Sequence, residues 1–136
     1  MADKAKSVEY YYVTVPDRPG EGKRVLSALK QSNVNLLAYL GFPSGDGKSQ
    51  LDLVPENVDA LKQAAGKFGL KLSGAKKAFL IQGDDRPGAV SDALQKAADA
   101  NVNVTAAAAT CAGGKYGLVL WVSPKDYERT AKALGA

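Results

Sequence analysis

The sequence contains no histidine, and Cys111 is the only cysteine among its 136 residues. Histidine is the commonest general base and a frequent zinc ligand, and one cysteine cannot form an intrachain disulfide. No apolar run approaches the ~20 residues that span a bilayer, and the first residues lack the apolar core of a secretory signal. These absences argue against an enzyme, a metal site or a cofactor, and they predict a cytoplasmic protein.

A strong charge of one sign is also missing. Lysine and arginine number 18 and acidic residues 14, which leaves a net charge of +4, and the lysines are scattered along the chain. A scattered excess is typical of a solvated surface and makes nucleic acid the weaker of the possible partners. Hydrophobic residues form 46% of the chain, so a packed core is expected.

The most informative feature present is an internal repeat. An offset of 68 residues places Asp-Arg-Pro-Gly at 17–20 on the same four residues at 85–88, and Asn-Val-Asn at 33–35 on Asn-Val-Asn at 101–103. Two motifs that agree at one gap-free offset indicate duplication of one supersecondary unit.

Each copy has the pattern of a βαββαβ unit. A strand rich in aromatic and β-branched residues precedes each Asp-Arg-Pro-Gly, an amphipathic helix follows it, and a hairpin and a second helix complete the copy. We therefore predict an α+β fold of two ferredoxin-like units, residues 8–75 and 76–136, each an antiparallel sheet with helices on one face. Residues 70–75 are predicted to form the fourth strand of the first unit, whereas the second unit lacks its last strand.

The third strand of the second unit carries apolar residues on both faces. Val119 and Trp121 lie on one face, and the alternate residues that begin with Tyr116 lie on the other. An antiparallel sheet with one solvated face does not show this pattern. We expect a partner chain or residues 1–9 to cover the open face.

The Asp-Arg-Pro-Gly turns are the candidate binding sites. Proline suits the first helical turn, glycine allows close approach of a ligand, and aspartate can accept a hydrogen bond from the free N–H groups of a helix start. The positive end of a helix dipole suits a carboxylate, and an aspartate suits an ammonium group. Asp17 with Gly20, and Asp85 with Gly88, could thus hold the two ends of an amino acid.

Asp-Arg-Pro-Gly-Ala-Val at the first strand–helix turn, with Asn-Val-Asn at the next helix–strand junction, resembles the ACT domain, and two such units resemble a free-standing tandem ACT protein. The resemblance implies a non-catalytic regulatory role and an amino acid or similar effector bound between adjacent units. It further implies a homo-oligomer such as a dimer, and a regulated metabolic enzyme as partner. The site residues it implies are Asp85, Pro87, Gly88, Ala89, Val90, Asn103, Asp17, Gly20 and Asn35.

The second turn matches the motif better than the first. It continues as Ala89-Val90, whereas the first continues as Glu21-Gly22, which adds a negative charge where a carboxylate would bind. Four alanines at 106–109 also leave space beside the backbone of a predicted strand, for a ligand or for close packing. We expect turn 85–88 to be the principal site.

Two other functions remain open from the sequence. One is a scaffold that regulates an enzyme by docking and has lost its ligand. The other is single-stranded RNA binding, because Tyr116 and Phe79 occupy the strands that carry aromatic residues in the RNA-recognition fold.

Overall fold

A computed structural model describes residues 3–136. The chain divides into two compact units. The first unit contains residues 9–76. The second unit contains residues 77–136 together with the described residues of segment 1–8. The second unit therefore includes a segment that the domain prediction of 76–136 did not give it.

The first unit has one antiparallel sheet and two helices. Its strands β1, β2 and β3 lie in the order β2-β3-β1. Residues 9–16 of β1 belong to this unit. The elements are β1 Lys4–Pro16, α1 Glu21–Gln31, β2 Leu36–Gly45, β3 Lys48–Pro55 and α2 Val58–Phe68.

The core of the first unit lies between this sheet and its two helices. Alternate residues of β1 point toward the core, as the period of two in a strand requires. The buried cluster consists of Tyr11, Val13, Val15, Val25, Leu29, Leu51, Leu53, Leu61 and Ala64. Helices therefore cover one face of the sheet, as the sequence predicted.

Residues 70–75 do not form the fourth strand that we predicted. Leu70 and Leu72 pack against the core, and the N–H of Ser73 donates to the Tyr12 carbonyl at 2.9 Å. The N–H of Tyr12 in turn donates to the hydroxyl of Ser73 at 2.9 Å and not to a backbone carbonyl. Because the Ser73 side chain replaces a backbone carbonyl as the acceptor, the segment lies beside β1 without the regular backbone hydrogen bonds of a strand pair.

The second unit repeats this arrangement. Its strands lie in the order β1-β4-β6-β5, with residues 4–8 of β1 at the edge next to β4. A short 3₁₀ helix over Pro124–Asp126 precedes its last helix. The elements are β4 Lys76–Asp84, α3 Ala89–Asp99, β5 Val104–Ala112, β6 Lys115–Val122 and α4 Tyr127–Leu134.

The core of the second unit is built around Phe79, which is fully buried and stacks on Tyr127 with ring centroids 4.8 Å apart. Helix α3 contributes small side chains, and these let its backbone pack closely on the sheet. The other buried members of the cluster are Ile81, Ala89, Ala93, Tyr116, Leu118, Leu120 and Leu134.

Among residues 3–136, no strand follows α4, the last helix of the second unit. Residues 4–8 fill the edge position, and Ala5 packs against the core. The segment thus extends the sheet and does not lie over its open face, where we expected residues 1–9; Met1 and Ala2 are outside the described residues. Trp121 is already 93% buried within the chain.

Across residues 3–136 we find no helix that combines the length and the apolar character needed to cross a membrane.

Candidate functional site

The two Asp-Arg-Pro-Gly turns have nearly the same backbone. Gly20 and Gly88 are the residues just before α1 and α3, and both have left-handed conformations, with φ of 90° and 82°. Other residues adopt this conformation at a cost, so glycine is favoured at both positions. Asn33 and Asn101, which end the helical segments, also have positive φ, at 56° and 57°.

Asp17 does not cap α1, contrary to our expectation. Its N–H donates to the Gly47 carbonyl at 2.8 Å, and its Oδ1 accepts a hydrogen bond from the Ser49 hydroxyl at 2.9 Å. Both partners belong to the β2–β3 hairpin. The aspartate therefore ties the turn to the hairpin that follows it in the fold.

Asp85 makes the same backbone contact in the second unit, but its side chain binds the other strand of the hairpin. Its N–H donates to the Gly114 carbonyl at 3.0 Å, and its Oδ1 accepts from the Cys111 thiol at 3.2 Å. No side-chain hydrogen bond caps α3, so the capping role predicted for Asp85 is also wrong. Its carboxylate faces the end of the β5–β6 hairpin.

Among residues 3–136, two N–H groups at the start of α3 have no hydrogen-bond acceptor. The N–H of Ala89 donates to the Arg86 carbonyl at 3.2 Å, and the N–H of Asp92 makes the first helical bond, to Gly88. Val90 and Ser91 lie between them, where a helix provides no backbone acceptor. These two amides and the dipole of α3 form an anion-binding position beside Gly88.

The start of α1 is occupied by side chains. Glu21 follows Gly20, is largely buried, and accepts a hydrogen bond from Arg24 at 3.3 Å. The hydroxyl of Tyr39 lies 3.1 Å from the position that a Cβ on Gly22 would take. The first turn of α1 therefore carries a carboxylate, paired with Arg24, and has a phenol hydroxyl against Gly22.

The start of α3 has a smaller side chain opposite it on the sheet. Tyr39 pairs across the sheet with Leu53, and Ala107 pairs with Leu120, so Ala107 takes the place of Tyr39 in the second unit. Ala107 is exposed. Val90 replaces Gly22 and fills part of the space, but valine is much smaller than a tyrosine ring. The alanine stretch of β5 thus leaves room beside turn 85–88.

Asn35 and Asn103 lie far from the turns of their own units. Asn35 precedes β2, and its amide donates to Glu56 at 3.2 Å, whereas Asp17 binds at the other end of that strand. At about 3.3 Å per residue, the two ends of β2 are about 30 Å apart. Asn103 and Asp85 are separated in the same way by β5. Within one unit the structure does not bring aspartate and asparagine together.

Arg86 forms a cluster with residues that are distant in the sequence. Its guanidinium binds the carboxylate of Asp3, which also accepts a hydrogen bond from the Tyr116 hydroxyl at 2.7 Å. The hydrogen bonds from Arg86 and Tyr116 hold the pKa of Asp3 below its usual value. Arg18, at the matching position, is 67% exposed in its side chain. Residue spacing could not reveal a contact that spans 83 positions.

Tyr116 gives a testable dependence of stability on pH. Burial, reinforced by the hydrogen bond to Asp3, raises its pKa to about 12. The unfolded chain releases this proton near pH 10, so the stabilisation is complete below pH 10 and is lost between pH 10 and 12. We expect the free energy of unfolding from urea melts to fall more steeply over this range in the wild type than in Tyr116→Phe. Equal slopes would show that Tyr116 titrates normally.

Cys111 is an exposed thiol. The hydrogen bond to Asp85 is the main cause that raises its pKa above the ordinary value, with burial and the charge of Asp85 adding to it. A thiol held protonated is a poor nucleophile. Cys111 therefore serves the Asp85 contact and gives no support to covalent chemistry.

The fold resembles those of solved proteins. A protein of Bacteroides thetaiotaomicron superposes with a TM-score of 0.81 at 16% identity, over 96% of this chain and 88% of that chain. The ligand-free regulatory subunit of aspartate kinase from Thermus thermophilus has a TM-score of 0.63 at 15% identity, over 98% and 94%. Aspartate kinase from Synechocystis has a TM-score of 0.62 at 17% identity, over 98% of this chain and 26% of that chain.

The sequence itself matches no family model and no curated protein. At this level of identity the structural similarity shows the fold. The chain has the fold of a tandem ACT protein, two ferredoxin-like units, as its repeated motifs predicted.

Proposed function

We propose that this chain is a non-catalytic regulatory protein that binds an amino acid or similar effector at turn 85–88. The observation that carries the proposal is the start of α3, where Val90 and Ser91 present unpaired amides beside the left-handed Gly88. Such amides bind a carboxylate without any cationic side chain.

The same turn offers a partner for the other end of an amino acid. Asp85 is exposed, and within the described part of the chain, residues 3–136, its carboxylate accepts one hydrogen bond, from Cys111 to Oδ1. Oδ2 is available to an ammonium group. Pro87 and Ala89 fix the turn between the two groups, and the open surface at Ala107 leaves room for a side chain.

The first turn is less suited to this role. Glu21 places a carboxylate beside the amides of α1, and the Tyr39 hydroxyl lies over Gly22. Asp17 and Gly20 keep the shape of the turn, and we propose that they serve architecture more than binding. For this unit, the alternative of a scaffold that has lost its ligand has specific support.

The asparagines can take part only in a composite site. Asn103 and Asn35 each lie about one strand length from the turn of their own unit. An asparagine that contacts a bound effector would have to come from a unit other than the one whose turn holds it.

A second copy of the chain is the proposed partner of strand β5. This strand ends the sheet order of its unit, and its nine residues contain no charge and no proline. Natural edge strands usually carry such groups to prevent pairing. Light scattering should report a dimer, Ala106→Lys should give a monomer, and Gln63→Lys on exposed α2 should remain dimeric. A wild-type monomer would contradict this pairing.

The regulated partner, on this proposal, is a cytoplasmic metabolic enzyme. The similarity in fold to regulatory subunits of aspartate kinases supports that class. Binding of RNA loses its support, because Tyr116 and Phe79 are buried in the core and cannot stack on bases.

Thermal denaturation against a panel of amino acids tests the proposal. A ligand at a hundred times its dissociation constant adds about 2.7 kcal/mol of stability. For a chain of this size we expect the melting temperature to rise by roughly 10 °C. If no amino acid changes the melting temperature, the scaffold alternative replaces this one.

A further inference from the structure

Arg86 holds the carboxylate of Asp3 as an arginine holds a bound acid. Its Nη1 and Nη2 donate to Oδ1 and Oδ2 at 3.2 and 3.1 Å, and the Tyr116 hydroxyl donates to Oδ2 at 2.7 Å. Paired parallel bonds of this kind are among the strongest and most directional that proteins make with carboxylates. One carboxylate thus receives three hydrogen bonds.

The arginine is fixed in place by its other contacts. Nη1 donates to the Asp84 carbonyl at 3.2 Å, and Nη2 donates to the Asp92 carboxylate at 3.0 Å. The guanidinium also lies 5.9 Å from the centre of the Tyr116 ring. These contacts do not involve Asp3, so the donors remain oriented if its carboxylate leaves.

A cavity of about 290 Å³ lies beside the ion pair. Ala5, Ile81, Ala93 and Leu134 give it an apolar lining, Lys96 adds a second cation, and the Asp92 carboxylate that binds Arg86 also lines it. A group of five or six carbon atoms fits this volume. The cavity therefore combines a carboxylate position with space for an apolar tail.

The ion pair is not a requirement of the fold. With the 68-residue offset, the first unit has Lys71, Arg18 and Arg24 where the second has Asp3, Arg86 and Asp92. Ser49 takes the place of Tyr116, because Ser49 pairs with Val15 and Tyr116 pairs with Gly83, the residue equivalent to Val15. The first unit folds with no carboxylate at the position of Asp3, so the grip on a carboxylate is particular to the second unit.

We propose that Arg86 and Tyr116 form a binding site for a small carboxylate with a short apolar tail, and that Asp3 occupies this site until such a ligand replaces it. The ligand carboxylate accepts the three hydrogen bonds that Asp3 now receives, and its tail lies on the apolar lining of the cavity. This site goes beyond the proposed effector site, because it uses neither the α3 amides nor Asp85.

Calorimetric titration with 4-methylpentanoate tests the proposal, since this probe has a carboxylate and a branched tail but no ammonium group. Asp3→Asn should bind it at least tenfold more tightly than the wild type, because the competing carboxylate is gone. Adding Arg86→Gln to that variant should weaken binding at least tenfold. Asp99→Asn removes the same charge elsewhere on the unit and should behave as the wild type.

Asp3→Ser should behave as Asp3→Asn. It is a control for the case in which the asparagine amide itself contacts Arg86 and blocks the ligand. Affinity unchanged by both Asp3 substitutions would overturn the proposal, as would binding that survives Arg86→Gln. The second result would assign the probe to another position, such as the α3 amides. The amino-acid panel is read separately, so failure of one proposal leaves the other standing.

Discussion

Replacing Phe79 by alanine should lower the free energy of unfolding by about 3–5 kcal/mol, the usual cost of deleting a buried aromatic ring. Phe79 is fully buried and stacks on Tyr127 at 4.8 Å, so its removal leaves a cavity at the centre of the second unit and ends the aromatic contact. Urea denaturation followed by circular dichroism measures the loss.

Phe42→Ala is the matched control, because Phe42 lies on the edge strand β2 and is 40% exposed. We expect it to cost about 1–2 kcal/mol, well below the cost of Phe79→Ala, because 40% of its surface is already exposed to water. If the two substitutions had equal effects, Phe79 would not lie at the centre of the second core.

Gly88→Asp should abolish the stabilisation of about 2.7 kcal/mol that a saturating effector gives. Aspartate tolerates positive φ better than most residues, so the turn should survive, but its charge would lie beside the amides of Val90 and Ser91. It would repel a ligand carboxylate from the position that those amides hold. The ligand-induced rise in melting temperature measures the loss.

Two variants separate charge from strain in this experiment. Gly88→Asn has the same size without the charge and should keep more of the effect of the ligand than Gly88→Asp. Gly20→Asp places the same charge and nearly the same strain on the first turn and should leave the ligand effect intact. If the two aspartate variants lost the effect equally, the ranking of the two turns would be wrong.

Local chemistry explains why the repeat and its turns could be predicted from the sequence. Proline restricts the backbone at its own position, and glycine permits conformations that other residues avoid. Each Asp-Arg-Pro-Gly therefore predicts a strand end and a helix start by itself. The left-handed conformations of Asn33 and Asn101 also follow from the residue type at each position. Hydrophobic periodicity then identified the face of each helix that packs on its sheet.

Contacts between distant parts of the chain could not be predicted. The side chain of Asp85 turns toward Cys111, 26 residues later, and not toward its own helix. A β-bulge between Pro43 and Gly45 adds one residue to β2. Beyond this bulge, equivalent residues of the two units are 67 positions apart and not 68, as Gly47 and Gly114 show. Residue types alone set neither the hairpin position nor the direction of the aspartate.

The edge strand of the second unit shows the same limit. The sequence pattern indicated that the second unit lacks a strand after its last helix. The segment that takes the place of this strand begins at Lys4, far before β4, the first strand of the repeat. Its contacts with Arg86 and Tyr116 depend on that placement. Tyr116, which the sequence also allowed as a residue that stacks on bases, is buried in the core of the second unit.

The most direct test of the central claim is the response of individual backbone amides to an effector that stabilises the chain. In ¹⁵N–¹H correlation spectra, an amino acid bound at turn 85–88 should shift the amides of Gly88, Val90 and Ser91 most, with those of Gly20 and Gly22 little changed. The largest shifts at Gly20 and Gly22, or shifts confined to residues outside both turns, would contradict the account.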